Sequence, residues 1–293
     1  MTERELNLFK ALNTVRYGRS NLLAAYLGGS AQNRKRELSQ LMDEGLLYRP
    51  EHMKDNGNWR YSAYIYGLTP KAQKLLTQNG VTVMEWDAVH KFKQEQFWHR
   101  VMIADIVLSF MIEAKKYKLP FKSRLDLIGT PTLSLPCEIN FPTDKGAEPY
   151  TIPLRSDELC AIGDFNVLLE ADRHTERIDT NHPKVPSYKR KILQYRHVYQ
   201  EGLYKKQWGL KSVFTIHITV SNEHSDNIVE FMSDKLQLKS RGQLFAAFPS
   251  LGDKSTYPSP INLLEHPFKR VGFEPLIIGK EIFNGHSSAT KAA

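Results

Sequence analysis

The sequence predicts a mixed α/β protein in which a helical N-terminal region precedes a sheet flanked by helices. Two observations carry this prediction: residues 1–78 contain three successive segments with helical apolar spacing, and residues 88–253 alternate helical segments with short apolar runs. The predicted strands lie at 123–129, 150–155, 165–171, 213–220 and 243–248, and the predicted helices of this region at 89–117, 187–201 and 227–236. This order implies a mixed sheet covered by helices.

The composition favours a polyanionic partner and excludes several classes of protein. The chain has 293 residues and a formal net charge of +8, and residues 1–78 contribute 12 basic and 7 acidic side chains, a net of +5. Two cysteines without Cys-x-x-Cys spacing indicate neither a disulfide framework nor a structural zinc site, which fits a cytoplasmic protein. The longest apolar run, from Val101 to Ile112, is too short to span a membrane and contains Asp105. We therefore expect no membrane partner.

The first 45 residues predict a helix-turn-helix arrangement. Thr2 and Glu5 form a capping box ahead of a first amphipathic helix. A second helix stops at Gly28-Gly29, and a third runs from Ser30 to Gly45. The pattern is therefore helix, short turn, helix.

One face of the third helix has the chemistry of a DNA-reading surface. Its apolar stripe faces away from a polar cluster, and Lys35 lies beside that stripe; the cluster consists of Gln32, Asn33, Arg36 and Gln40. In the major groove, Asn and Gln side chains can form paired hydrogen bonds with adenine, and arginine can form them with guanine. The alternative is an ordinary solvated helix face.

A predicted hairpin after the third helix completes the pattern of a winged helix. Residues 46–49 and 61–66 read as its strands, and the polar tip between them carries Lys54 and Arg60. Basic residues at such a tip can contact phosphates. The sequence therefore predicts a winged-helix domain over 1–78 that binds double-stranded DNA, and a winged helix used only for protein contacts is the alternative.

Carboxylates cluster around the most apolar predicted strand. Glu170 and Asp172 follow Val167, Leu168 and Leu169 and lie two residues apart, which places them on one face of a strand. Asp157 lies upstream. Carboxylates buried at a strand end would be costly unless paired or bound to metal. We expect Asp157 and Glu170 to hold Mg²⁺ or Mn²⁺, and surface salt bridging is the alternative.

A basic helix follows the carboxylates and can supply a cation. Lys191 and Tyr195 are four residues apart and share a helix face, so both could approach a phosphate. A solvated amphipathic helix would show the same spacing. Tyr195 or Tyr199 could instead act as a covalent DNA nucleophile. No ATP-binding Gly-x-x-x-x-Gly-Lys loop or Gly-x-Ser-x-Gly elbow is present.

These residues resemble the replication-relaxation family of plasmid and other mobile-element proteins, and the second half resembles the PD-(D/E)XK nuclease superfamily. The resemblance spans residues 5–235 and rests on the winged helix, the segment with His99, Asp157, the Leu-Glu-Ala-Asp-Arg-His-Thr-Glu segment, and Lys191 with Tyr195. It implies a restriction-endonuclease-like mixed sheet flanked by helices. The implied domains are a winged helix at 1–78, a nuclease-like domain at 88–253 and an extension at 254–293 with a disordered end.

The sequence departs from the superfamily at two positions. Ser156 stands where proline often precedes the first acid, and Asp172 stands where a lysine is expected. The resemblance implies that Lys191, on the neighbouring helix, can replace that lysine. As a hypothesis, Asp172 assists a second metal or orients Arg173. The implied catalytic set is Asp157, Glu170, Asp172 and Lys191.

Two functions follow from this reading. In the first, the chain binds the DNA of a plasmid, phage or integrative element and acts in its replication or relaxation, by metal-dependent phosphodiester cleavage. In the alternative, it is a non-enzymatic winged-helix repressor or replication initiator whose second domain serves binding and assembly. The sequence leaves open a homodimer and the identity of other replication or mobilisation proteins that bind it.

Overall fold

The computed structural model describes residues 1–55, 62–84, 94–130, 132–252 and 257–284. The chain divides into two compact units, of which unit 1 comprises Met1–Leu125 and Ser250–Leu263 and unit 2 comprises Asp126–Pro249 and Leu264–Ala293. The predicted disordered end at 285–293 and the predicted wing tip with Arg60 lie outside the described residues. In the described ranges, no helix has both the length and the apolar character that crossing a membrane requires.

Unit 1 is built from helices and short strands. Its helices are α1 (Glu3–Val15), α2 (Ser20–Leu27), α3 (Ala31–Asp43), α4 (Pro70–Gln78) and α5 (Gln94–Lys116). Its strands are β1 (Gly18–Arg19), β2 (Leu47–Tyr48), β3 (Ile65–Leu68) and β4 (Phe121–Lys122), with a 3₁₀ turn at Glu51–Asp55. The short helix α6 (Arg124–Ile128) spans the division between the units.

The predicted N-terminal elements occur in the predicted order. The Thr2 hydroxyl accepts from the Glu5 amide at 3.2 Å and the Glu5 carboxylate accepts from the Thr2 amide at 2.6 Å, which confirms the capping box. Strands β2 and β3 pair antiparallel, and β1 pairs with the other side of β3. The assignment of this arrangement as a winged helix stays a prediction.

The long helix α5 belongs to the core of unit 1. Its Asp105 pairs with Arg19 of β1 at 2.9 Å, and both side chains are almost fully buried. The segment at 257–263 also returns to this unit, since the amides of Ile261 and Leu263 donate to the side chains of Ser109 and Glu113 at 3.0 and 2.8 Å. Helix α5 therefore belongs to the same unit as α1 and α2, against which it packs. The predicted domain ranges 1–78, 88–253 and 254–293 stay a prediction.

Unit 2 is a mixed sheet with helices. Its strands are β5 (Glu138–Thr143), β6 (Gly146–Thr151), β7 (Glu158–Ile162), β8 (Phe165–Asp172), β9 (Phe214–Thr219), β10 (Gln243–Ala247), β11 (Pro267–Arg270) and β12 (Phe273–Ile277). Its helices are α7 (Tyr188–Gln200), α8 (Leu203–Trp208), α9 (Asn222–Glu230) and α10 (Ile278–Asn284), with a π-helical turn at Phe231–Lys235 and a 3₁₀ turn at Pro249–Gly252.

The strand order confirms the predicted mixed α/β sheet. Six strands run consecutively as β12-β11-β10-β9-β8-β7 within a seven-stranded sheet, and β5 and β6 form a separate hairpin. Strands β8, β9 and β10 are parallel, whereas β7, β11 and β12 pair antiparallel with their neighbours. The nuclease-like assignment of this sheet stays a prediction.

One predicted strand is wrong. Most of the strand predicted at 123–129 is instead the helix α6, Arg124–Ile128. Only Leu125, Leu127 and Ile128 are apolar there, and so short a run satisfies both the strand and the helix period.

Candidate functional site

Strand β8 carries the candidate acids into the interior of unit 2. It lies between β7 and β9, so Glu158 pairs with Leu169 on one side and His217 pairs with Glu170 on the other. Glu170 is 1% exposed and Asp172 is 4% exposed. A central strand with both neighbours in place leaves its carboxylates dependent on protein partners for charge compensation.

Helix α7 supplies the two partners of Glu170. The helix begins after Ser187, whose hydroxyl accepts from the Arg190 amide at 3.3 Å. One turn in, the Lys191 ammonium lies 3.0 Å from Glu170 Oε2, and one turn further the Tyr195 hydroxyl donates to Glu170 Oε1. The spacing of four residues places both groups on one face of α7, as the sequence predicts, and in the structure both contact the Glu170 carboxylate.

Lys191 is shared between two carboxylates. Its ammonium also lies 2.6 Å from Glu176 Oε2, and its side chain is 19% exposed. Burial by itself would lower the pKa of Lys191, but the charges of Glu170, Glu176 and Asp157 outweigh it and raise that pKa well above its usual value. The lysine is therefore a fixed cation at neutral pH.

Asp157 lies close enough to interact electrostatically with Glu170. The amide of Ala171, the residue after Glu170, donates to Asp157 Oδ2 at 2.9 Å, and the Asp157 amide donates to the Leu169 carbonyl at 3.1 Å. Burial raises the pKa of Glu170 from 4.5 to about 7, with the Lys191 charge opposing that rise and the Asp157 charge adding to it. The structure thus brings Asp157, Glu170, Lys191 and Tyr195 together.

Asp172 has a different set of partners. Its Oδ1 accepts from the amides of Thr175 and Glu176 at 2.9 and 3.3 Å, and its Oδ2 lies 3.0 Å from Nε2 of His224 in α9. These contacts fix the turn that follows β8 and carries Glu176. His224 is a residue that the sequence reasoning missed, and the exposed ring of His174 stacks on it at 4.4 Å.

A second residue missed from the sequence, His217, lies beside Glu170 on β9. Its ring stacks on Phe245 at 4.7 Å, and its Nε2 is 3.1 Å from the Gln243 side-chain oxygen. Burial first, and then the Lys191 charge, lowers the pKa of His217 to about 3, so the imidazole is neutral. The strand pattern offers a signal for it, because Thr215, His217 and Thr219 alternate with apolar residues and all three are buried.

The donor set around Glu170 fits a hard cation with few protein ligands. Across the described ranges, no group of three or more His, Cys, Asp or Glu residues could hold a metal ion. Asp157 and Glu170 offer carboxylate oxygens alone, and Mg²⁺ is commonly held by one or two carboxylates together with water and substrate phosphate. The carboxylate oxygens of Asp157 and Glu170 are therefore of the type that Mg²⁺ or Mn²⁺ takes as ligands.

In unit 1, helix α3 presents the predicted DNA-reading face to solvent. All five predicted residues of this helix are exposed, namely Gln32, Asn33, Lys35, Arg36 and Gln40. On the opposite side Leu38 and Leu41 are buried. The Gln40 amide donates to Glu44 at 2.9 Å, and the Lys35 ammonium lies 5.1 Å from the centre of the Tyr257 ring.

Two further residues from the sequence analysis lie in unit 1. Lys54 is exposed in the 3₁₀ turn at Glu51–Asp55, next to the undescribed tip. His99 is half-buried in α5, whereas Asp157 and Glu170 belong to unit 2.

Comparison with known proteins gives one family. The family model described as replication-relaxation matches residues 9–213, which is more than half of the chain. Searches of curated proteins and of solved structures give no match. The chain belongs to the replication-relaxation family, and this membership points to a role in the replication or relaxation of a plasmid or another mobile element.

Proposed function

We propose that this protein binds double-stranded DNA of its element through a winged helix in unit 1, with α3 as the reading helix. The observation that carries the proposal is the division of α3 into a buried apolar side with Leu38 and Leu41 and an exposed side of amides and cations. A helix anchored in this way can enter a major groove without losing its own packing.

The exposed residues of unit 1 are suited to two kinds of DNA contact, with base edges and with phosphates. Asn33 and Gln40 offer paired donor and acceptor atoms that match the edge of adenine, and Arg36 offers the donor pair that matches guanine. Lys35 and Lys54 carry exposed cations suited to phosphates. Base contacts would set sequence preference, and phosphate contacts would set register and salt dependence.

Selection from a random duplex library tests this proposal. The wild-type protein should enrich a sequence motif, and Arg36→Ala should lose the preference at one or two base pairs, with about 1–3 kcal/mol lost per base contact. Lys10→Ala is the matched control, because it removes one exposed cation from α1. If Arg36→Ala enriches the same motif with the same affinity, α3 is not the reading helix.

A second function, phosphodiester cleavage, is favoured by the buried charges of unit 2. In this proposal Asp157 and Glu170 hold Mg²⁺ or Mn²⁺, which when bound neutralises phosphate charge and lowers the pKa of a bound water. Lys191 provides a cation for the attacked phosphate, and Glu176 holds that ammonium in place from its other side. The Tyr195 hydroxyl fixes the orientation of the Glu170 carboxylate.

Asp172 serves this site as a positioning residue. Both of its carboxylate oxygens accept hydrogen bonds, from the turn at 172–176 and from His224, and the same turn carries Glu176. We therefore propose that Asp172 acts on the site through Glu176 and Lys191.

Supercoiled plasmid with Mg²⁺ or Mn²⁺ tests cleavage. The wild-type protein should convert it to open-circular or linear DNA, and Glu170→Gln and Asp157→Asn should each leave it intact. Asp164→Asn, in the exposed turn between β7 and β8, is the control and should cleave normally. Intact plasmid with the wild-type protein and either metal would contradict cleavage and support the non-enzymatic repressor or initiator.

A further inference from the structure

Unit 2 contains a cavity at the end of the sheet where β9 and β10 begin. Its volume is about 620 Å³, and its walls come from the second half of α7, from α8, from residues 212–214 and from residues 237–243. Pockets for small ligands commonly enclose about 300–1,000 Å³. The cavity is therefore large enough for a nucleotide.

The charged residues that line the cavity all carry positive charge. Arg196, Lys239 and Arg241 are exposed at its rim, and the described residues that line it include no Asp or Glu. The Arg241 guanidinium lies 5.0 Å from the centre of the Phe273 ring, which restricts where that cation can move. Three cations without a carboxylate among them favour an anionic ligand, and arginine in particular suits phosphate.

Aromatic rings form part of the cavity wall, and the structure holds them in place. The Tyr199 hydroxyl donates to the Gly242 carbonyl at 2.9 Å and shares a hydrogen bond with Thr215 at 2.6 Å. The Tyr204 ring meets Tyr199 edge-on at 6.2 Å, and Phe214 stacks on Phe165 at 4.4 Å. Half-buried rings beside cations are the combination that binds unstacked bases together with their phosphates.

This cavity is separate from the site around Glu170. Phe214 at the start of β9 pairs with Val167, whereas His217, further along β9, pairs with Glu170. Because β8 and β9 are parallel, the cavity lies toward their amino ends and the Asp172–His224 pair lies at their carboxyl ends. A ligand in the cavity would therefore not take the place of Lys191 or Glu176.

We propose that this cavity binds a nucleoside phosphate, either as a free nucleotide or as an unpaired nucleotide of single-stranded DNA. The phosphate binds to the cations at the rim, Arg196, Lys239 and Arg241. The base packs against the aromatic wall formed by Tyr199, Tyr204 and Phe214. The inference goes beyond the proposed function, which concerns duplex binding by α3 and cleavage at the site around Glu170.

Binding of a fluorescein-labelled 12-nucleotide oligo-dT to the full chain tests the proposal by anisotropy. The double variant Arg196→Gln/Arg241→Gln should bind at least about tenfold more weakly, and its salt dependence should decrease by about 0.7 per lost phosphate contact. Lys145→Gln, an exposed cation at the tip of the β5–β6 hairpin, is the matched control and should change affinity by less than about twofold. Thermal unfolding should show that both proteins fold, since all three side chains are exposed.

Competition with unlabelled dTMP and ATP separates the two sources of the ligand. Displacement of the oligonucleotide by either nucleotide would identify a free nucleotide as a ligand, and binding of the oligonucleotide without displacement would identify the strand. Failure of oligo-dT, dTMP and ATP to bind, or equal affinity in the double variant, would overturn the proposal. The duplex selection with Arg36→Ala is unaffected by that result, so the failure of one proposal does not imply failure of the other.

Discussion

The contact between Tyr195 and Glu170 makes a quantitative prediction about the stability of unit 2. Both side chains are buried, and the hydroxyl donates to Glu170 Oε1. Tyr195→Phe keeps the ring, which packs edge-on against His217 at 5.6 Å, and removes only the donor. Hydrogen bonds to a charged group contribute about 1.5–3 kcal/mol and neutral ones about 0.5–1.5 kcal/mol. Tyr195→Phe should therefore lower the free energy of unfolding by about 1.5–3 kcal/mol, the range for a charged partner.

A double-mutant cycle with Glu170→Gln isolates the charged part of this interaction. In the Glu170→Gln background the hydroxyl meets a neutral amide, so Tyr195→Phe should cost about 1–2 kcal/mol less than in the wild type. The measurement is urea unfolding of the full chain at about pH 8, above the raised pKa of Glu170, followed on the transition of unit 2.

Tyr199→Phe provides the matched control for the cycle. Its hydroxyl bonds Thr215 and the Gly242 carbonyl rather than a carboxylate, so its effect should add to that of Glu170→Gln within about 0.5 kcal/mol. Additive effects of Tyr195→Phe and Glu170→Gln would refute the assignment of Tyr195 as the residue that orients Glu170.

Three other predictions concern the core and the cavity wall. Burial raises the pKa of Asp105 from 3.8 to about 6, against the opposing charge of Arg19. Because Asp105 ionises at lower pH in the unfolded chain, the free energy of unfolding should fall by about 3 kcal/mol as the pH rises from about 4 to about 6. Gly242→Ala would place a Cβ 3.0 Å from Tyr199 Cζ and so displace that ring. The free energy of unfolding should fall by about 1–3 kcal/mol, and oligo-dT should bind more weakly. Leu38→Ala should lower the free energy of unfolding by about 2–5 kcal/mol, since Leu38 is fully buried on the apolar side of α3.

Each of these predictions has a simple check. Urea unfolding across pH should show the loss for the wild type and not for Asp105→Asn, and an equal loss in both would contradict the assignment. For Gly242→Ala, oligo-dT affinity equal to wild type would mean that the Tyr199 ring does not shape the cavity. Gln40→Ala is the control for Leu38→Ala, because Gln40 is exposed on the same helix, and equal unfolding midpoints for the two would contradict the described packing of α3.

The sequence predicts the elements of this fold where periodicity is long and clear. Helix α7 and strands β9 and β10 lie within about two residues of their predicted limits, because each has a sustained period and a clear break at its ends. The short helix α6 is mistaken for a strand, and β11 and β12 escape prediction because they are four and five residues long and each contains proline.

The candidate site shows the same limit in three dimensions. Glu170 could be chosen from strand spacing and Lys191 with Tyr195 from helix spacing, whereas Asp157 was chosen because it lies upstream of them in the order typical of nucleases. His224 could not, since its contact with Asp172 joins residues 52 positions apart, and only the parallel pairing of β8 with β9 brings α9 to that carboxylate. The alternation of polar and apolar residues in β9 indicates that His217 is buried, but its stacking on Phe245 depends on the pairing of β9 with β10.

The salt dependence of duplex binding by the full chain tests the central claim most directly. The logarithm of the association constant should fall linearly with the logarithm of the salt concentration, and the triple variant Asn33→Ala/Arg36→Ala/Gln40→Ala should bind the selected duplex at least about tenfold more weakly. Tight binding by that variant with an unchanged slope, or no binding by the wild type at low salt, would contradict the account.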